Sequence, residues 1–204
     1  MNETRMIETL DDVRADAEAR MIEAGRSRHT PMHTPIVGTN GGDMRVMVLR
    51  HYDPATRILR FHTDARSPKV GSIGVGAQGV APVGVLLYDP AAKIQIRCNG
   101  TGRVEIDGPV ADAAWADSTT FARRCYLSET APGAQSDEAV SGLPEWAEGL
   151  NPSEDQVAPA RENFAVLLIA VDRLDWLFLS NDGHRRAVLE ARADGGWDGS
   201  WVVP

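Results

Sequence analysis

From position 44 onward the chain alternates short runs of β-branched and apolar residues with compact turn sequences: MRVMVLR, then YDPAT, then RILRFHT; later VGVLLY, then DPAAK, then IQIRCNGTGRVEI. Runs of this length joined by so few residues fold back on themselves as antiparallel hairpins. The turns carry matching chemistry. In Asp53-Pro54 and Asp89-Pro90 the proline presets φ and the aspartate can accept from the backbone two residues on, which suits type I turns. The C-terminal part returns to the pattern with FAVLLIAVDRLDWLFL, a SNDGH turn, RRAVLEAR and a short WVVP.

Helical periodicity is confined to two places. Residues 5 to 24 carry Met6, Ile7, Leu10, Val13, Ala17 and Met21 at steps of one, three or four, and Gly25 follows as a stop. Residues 110 to 127 follow Gly108-Pro109 and predict a second helix, with Ala114, Phe121 and Cys125 as candidates for its buried side. Between the first helix and the hairpins, SRHTPMHTPIVGTNGGD predicts an extended loop ending in a turn. Residues 129–163, rich in Pro, Gly, Ser and acid, predict a long loop with a short helical piece near 145–150. The expected architecture is mainly β, barrel-like with flanking helices, in one domain over 1–204 with the N-terminal helix in 1–25.

At 204 residues the chain can bury roughly 70% of its unfolded surface, so its core needs no metal or disulfide staple. Its apolar runs, such as 165–171, are far below the ~20 residues of a bilayer helix, and its start, MNETR, lacks a secretory signal's basic and apolar regions. Two isolated cysteines, Cys98 and Cys125, fit a reducing compartment, so a cytoplasmic location is expected. A net charge of −8 argues against general nucleic-acid binding, so any anion must be held locally. Of the 21 basic residues only Lys69 and Lys93 are lysines.

Two motifs are decoys. Residues 74–79 spell GxGxxG, but Val80-Ala81-Pro82 and a β-type run follow where a dinucleotide site needs a helix. His29 and His33 have zinc spacing, but Pro31 and Pro35 break the helix that spacing needs, so no metal is expected. No nucleophile-elbow motif appears.

Chemistry concentrates elsewhere. Arg45 and Arg50 bracket one strand, at an odd spacing that sends them to opposite faces unless a bulge intervenes. Residues 62–69, His-Thr-Asp-Ala-Arg-Ser-Pro-Lys, pack hydroxyls and cations at a strand end, and such donors suit a phosphate dianion. Taken singly, these residues also fit a solvated strand end, Trp176 a core anchor, Gln95 an outward strand position, and Arg186 a partner for Asp182 or Glu190.

The ordered set is more specific than its pieces: Arg45, Val46, Met47, Val48, Leu49 and Arg50 in RVMVLR; His62 and Thr63 in FHTD; Ser67 and Lys69; Gln95 in IQIR; Gln135-Ser136; Trp176; and Arg186 ten positions later. It resembles the FMN-binding split-barrel family of pyridoxamine 5'-phosphate oxidases, most closely the branch of related flavoproteins, over about residues 30–204. The resemblance implies a Greek-key split barrel of antiparallel strands. It places the FMN phosphate and ribityl chain on the first blocks, and Gln95, Gln135, Ser136, Trp176 and Arg186 around the flavin. It also implies a homodimer with FMN at its interface, and hydride transfer between a small organic substrate and flavin N5.

The departures concern the substrate. The family's Arg-Leu-His-Asp-Arg is here Asp182-Gly183-His184-Arg185-Arg186, and a carboxylate at Asp182 cannot pair with a substrate phosphate. Arg50 stands in place of a lysine, and the arginine that normally precedes the lysine of the Ser-x-Lys step is missing. Arg124 and Ser128 keep the spacing of the family's substrate-phosphate pair, but Thr120 replaces the expected tyrosine. Arg50, Arg124, Ser128 and His184 are the candidate substrate residues, and no general base is assigned. A non-catalytic FMN carrier or sensor, a true pyridoxamine or pyridoxine phosphate oxidase, and a deazaflavin or haem protein are the alternatives.

Overall fold

The computed structural model describes residues 7–76 and 79–204. It is mainly antiparallel β with flanking helices, in the order α1 (Leu10–Arg26), β1 (Ile36–Gly38), β2 (Met44–Val46), β3 (Leu49–Asp53), β4 (Ile58–Asp64), α2 (Pro68–Ile73), β5 (Val80–Asp89), β6 (Ile94–Glu105), α3 (Gly108–Ala116), α4 (Thr120–Arg123), α5 (Glu154–Val157), β7 (Phe164–Phe178), β8 (Arg185–Ala191) and β9 (Trp197–Val202). The sheet runs β2-β1-β5-β6-β7-β4-β3, with β8 on β7 and β9 on β8. No helix among the described residues is long and apolar enough to cross a membrane.

The chain gathers into two compact units. The first comprises 1–61, 82–101 and 169–204, and the second 62–81 and 102–168. No single cut in the sequence separates them, because β4, β5, β6 and β7 each contribute residues to both.

In the first unit, α1 begins later than its periodicity suggests. Thr9 caps it, with its side chain accepting from Asp12 N–H while the Asp12 carboxylate accepts from Thr9 N–H. Ile7 therefore precedes the helix, and Met6 lies outside the described residues. Val13, Ala17, Met21 and Ala24 form the buried stripe, of which Val13 and Met21 each contribute about 1.5–3 kcal/mol. Gly25 is not the stop. The helix continues to Arg26, and a Cβ at Gly25 would stand 3.0 Å from His51 Cα, so glycine is there to let α1 cross β3 closely. The segment expected as loop contains β1, which pairs Ile36 with Val46 on one side and with Leu86 on the other. His33 sits in a 3₁₀ turn with Nδ1 2.6 Å from Ala24 O. The run expected as one strand over 44–50 breaks into β2 and β3, with a register shift between Leu49 and His51.

The second unit packs around Phe164, fully buried, whose ring meets those of His62, Trp115 and Tyr126 at 4.9, 5.3 and 5.0 Å between centroids. The expected helix over 110–127 is broken into α3, α4 and a 3₁₀ turn (Arg124–Leu127). Thr119 starts α4 by accepting from Ala122 N–H. The break rotates the following residues, so Ala114 is buried while Phe121 is 55% exposed and Cys125 lies at the surface. In 129–163, the helical piece near 145 is a 3₁₀ turn (Glu145–Ala147), and α5 adds a second one, capped by Ser153. After α2 and Gly74 no helix opens, and β5 begins at Val80, although Ala77 and Gln78 of the GxGxxG stretch lie outside the described residues.

Candidate functional site

The phosphate-type residues of the second unit lie where β4 turns into α2. Asp64, 8% exposed, fixes the turn by accepting from Arg66 N–H at 2.8 Å and taking the Arg66 guanidinium in a fork, Nε at 3.0 Å and Nη2 at 2.7 Å. Arg66 Nη2 also donates to Ser128 O at 2.9 Å. Hydrogen bonding to Asp64 raises the Arg66 pKa and commits that guanidinium to the scaffold. Pro68 opens α2 and holds Ser67 in extended backbone. Three donors then converge. Thr63 Oγ1 lies 3.3 Å from Ser67 Oγ, and Lys69 Nζ donates to Ser67 Oγ at 3.0 Å. Thr63 and Ser67 are 5% and 4% exposed, so these hydroxyls form the floor of the cluster. Two hydroxyls and an ammonium around one point can satisfy several oxygens of one phosphate.

The candidates in the first unit divide by strand face. Arg45, half-buried, donates from Nη1 to Val37 O at 3.3 Å and Thr39 Oγ1 at 3.0 Å, and from Nη2 to Asp43. In the same block Val46 is exposed, Met47 and Leu49 are buried, Val48 is half-buried, and Arg50 is exposed on β3. Gln95 is half-buried on β6, on the same face as Arg97 and Asn99. Trp176 is 1% exposed, and its indole N–H donates to Asp16 Oδ2 at 2.9 Å.

Arg186 pairs with neither Asp182 nor Glu190. It lies opposite Leu177, which makes Asp175 its diagonal neighbour on the same face, and it reaches that carboxylate with Nε at 3.0 Å and Nη2 at 2.7 Å. Glu190 is directly opposite Arg173 and pairs with it. Arg97 also bonds Asp175, so one carboxylate, 3% exposed, holds two guanidiniums. Burial pushes the Asp175 pKa up, but the hydrogen bonds from Arg186 and Arg97 more than offset it and hold the carboxyl below its usual range. Asp175, Arg97 and Asp16 are absent from the candidates the sequence gives. The signal for Arg97 is its place two residues after Gln95, and for Asp175 its place beside Trp176.

The remaining candidates are spread over loops. Arg124 Nη1 donates to Leu150 O at 2.6 Å, its guanidinium lies 4.4 Å over the Phe121 ring, and its buried Nε has no hydrogen-bond partner among the described residues. Ser128 Oγ donates to Thr130 O at 2.8 Å. Gln135 and Ser136 are exposed, with Ser136 Oγ donating to Glu138 O. His184 is exposed in the β7–β8 turn, at the edge of an open hollow of about 420 Å³ with Arg185, Arg186 and Trp201.

No protein-family model matches the chain, and no curated protein does. Solved structures do. A pyridoxamine 5'-phosphate oxidase-related, FMN-binding protein from Nostoc punctiforme PCC 73102 superposes with a TM-score of 0.66 at 21% identity, covering 98% of this chain and 100% of that one. PhzG from Burkholderia lata 383, solved with tetrahydrophenazine-1-carboxylic acid, gives 0.61 at 16% identity, covering 100% and 97%. A protein from Clostridium acetobutylicum related to general stress protein 26, of the pyridoxinephosphate oxidase family, gives 0.50 at 10% identity, covering 86% and 93%. The chain therefore has the fold of these proteins, the split-barrel fold expected from its sequence.

Proposed function

We propose that this chain is a cytoplasmic FMN-dependent oxidoreductase that moves a hydride between a small organic substrate and the flavin. The observation that carries the reading is the Thr63, Ser67 and Lys69 cluster, a donor set that fits a phosphate dianion, on a fold whose neighbour from Nostoc is described as FMN-binding. Bound FMN supplies hydride exchange at N5 of its ring. The chain supplies binding and orientation: Thr63 and Ser67 donate hydroxyls, Lys69 supplies charge, and Asp64 and Arg66 hold the turn that aligns them.

The same reading includes a homodimer. Across β2, β1 and β5 the outward face carries Met44 (70% exposed), Val46 (64%), Ile36 (37%) and Tyr88 (43%), a contiguous apolar stripe of the kind that marks an interface. A side chain at Gly84 would stand 3.8 Å from Asn99 Nδ2, so the stripe continues toward the face that carries Gln95 and Arg97. A second copy is the occupant this reading assigns to it.

FMN and riboflavin titrations of wild type and Lys69→Ala, with sedimentation, test the proposal. Loss of the charge-assisted contact should weaken FMN by about 1.5–3 kcal/mol, or about ten- to a hundredfold, and leave riboflavin nearly unchanged. Equal loss of both flavins, or a monomer that binds FMN fully, overturns it. Asp182 favours one second reading, a flavin carrier or sensor without turnover, because its carboxylate stands where the family's substrate arginine would. Turnover with pyridoxamine phosphate, pyridoxine phosphate or a nicotinamide donor eliminates that reading, and efficient pyridoxine phosphate oxidation returns the chain to the true oxidases.

A further inference from the structure

The first unit contains a cavity of about 950 Å³ between α1, the β5–β6 turn and the β7–β8 turn, within the range of small-molecule sites. Much of its wall is apolar, including Ala15, Ala19, Ile94 and Phe178, with the Trp176 ring centroid 6.3 Å from that of Phe178 at a tilt of 33°. Half of its charged residues are committed to the protein. Asp12 belongs to the cap of α1, and Asp16 accepts from Trp176 and from Arg20. Arg20 is shared between Asp16 and Asp89, each at 3.0 Å.

Three charged groups remain. Among the described residues Arg185 makes a single side-chain hydrogen bond, Nη1 to Ile7 O at 3.1 Å. Lys93 Nζ and the Asp182 carboxylate have no partner among the described residues. The uncommitted charge is therefore two positive against one negative, above an apolar wall that includes an aromatic ring. We infer that this cavity is a binding site for an aromatic carboxylate, with the acid group at Lys93 and Arg185 and the ring system against Phe178. Asp182 adds an acceptor for a ring N–H or amino group on the same ligand. The assignment stands on the first unit alone and goes beyond the flavin reading.

Flavin-free protein titrated with 2-naphthoate, 2-naphthamide and decanoate, followed by calorimetry, tests the assignment. The expected result is saturable 2-naphthoate binding, with 2-naphthamide and decanoate each about tenfold weaker or more, the first lacking the charge and the second the ring. Lys93→Asn keeps a residue that tolerates the left-handed turn, and Arg185→Gln keeps length and polarity. Each should weaken 2-naphthoate about tenfold while leaving FMN affinity and the melting temperature unchanged. Absence of saturable binding, equal binding of the amide or of decanoate, or wild-type affinity in both variants overturns the site. Stoichiometric displacement of 2-naphthoate by FMN overturns it as a separate site. FMN titration of the same variants reports on the flavin reading separately, so the two can fail independently.

Discussion

The β3–β4 and β5–β6 hairpins turn through the same construction and use it differently. Asp53 accepts from Ala55 N–H at 3.0 Å and Thr56 Oγ1 at 2.6 Å, and Asp89 accepts from Ala91 and Ala92 N–H, both at 3.0 Å. Each turn closes on a non-glycine residue in the left-handed region, Arg57 at φ +58° and Lys93 at φ +57°. Each of these offers its carbonyl to the β7 segment, Arg57 O to Val171 N and Lys93 O to Leu179 N. The side chains diverge. Arg57 donates to Gly195 O at 2.9 Å and lies 5.4 Å over the Trp197 ring, so its backbone strain is offset by contacts. Lys93 lines the cavity, and its ammonium has no partner among the described residues. A strained backbone position whose side chain forms no hydrogen bond or ion pair among the described residues is where a ligand-directed role is expected.

The largest effect that separates the two turns comes from their aspartates. Asp89→Ala removes both backbone hydrogen bonds and one of the two carboxylate partners of Arg20, at a site where the side chains are 17% and 25% exposed, and should cost about 2–3 kcal/mol. Asp53→Ala removes only local bonds at the surface and should cost about 1 kcal/mol. Urea midpoints at constant slope measure both. Equal losses would mean that Asp89 acts only as a turn residue and that the Arg20 pair contributes nothing.

Both turns were legible because Asp-Pro encodes its geometry within four residues. The strands on either side were legible for the same local reason. What was not legible depends on partners distant in the chain. β1 hides in PIVGTNGGD because three residues beside Pro, Gly and Asn leave no periodicity to detect, and its strand character comes from β2 and β5 on either side. Gly25 resembles a helix stop, and only the crossing of β3 reveals its purpose. Phe121 and Cys125 fall on the wrong side because a local cap at Thr119 outcompetes a continuous helix. Thr63, Ser67 and Lys69 lie within seven residues of sequence, so local structure alone brings their side chains together. The pairing of Arg186 with Asp175 is not legible in the sequence, because Asp175 becomes its neighbour only through the β7–β8 register.

Glycine at the two left-handed positions isolates what each side chain contributes. Relief of the left-handed penalty, about 1–2 kcal/mol, is opposed by about 0.4–1 kcal/mol of added unfolded-chain entropy. Lys93→Gly should therefore stabilise by about 0.5–1 kcal/mol. Arg57→Gly gains the same but loses a hydrogen bond and a cation–π contact worth about 1 kcal/mol together, and should come out near zero. A Lys93→Gly variant that is destabilised would show that Lys93 supports the fold after all, and the contrast between the turns would disappear.

Acid titration sharpens the contrast with the smallest signal. The Thr56 hydroxyl, and after it the Ala55 N–H, hold the Asp53 carboxyl below its usual range. A carboxyl whose folded-state pKa is depressed contributes fully above its unfolded value, near pH ~3.9, and loses that contribution as pH falls through the folded value. Asp53 is at the surface, so solvent screening limits the term to about a few tenths of a kcal/mol. Thr56→Val removes the largest cause. Wild type should exceed this variant by that amount at pH 6, and the difference should close as pH falls toward 3, while Asp175 and the other carboxyls titrate alike in both proteins and cancel. Urea midpoints at the two pH values give the comparison. A difference that stays constant between them would show that Thr56 stabilises the turn by packing rather than by holding the Asp53 charge.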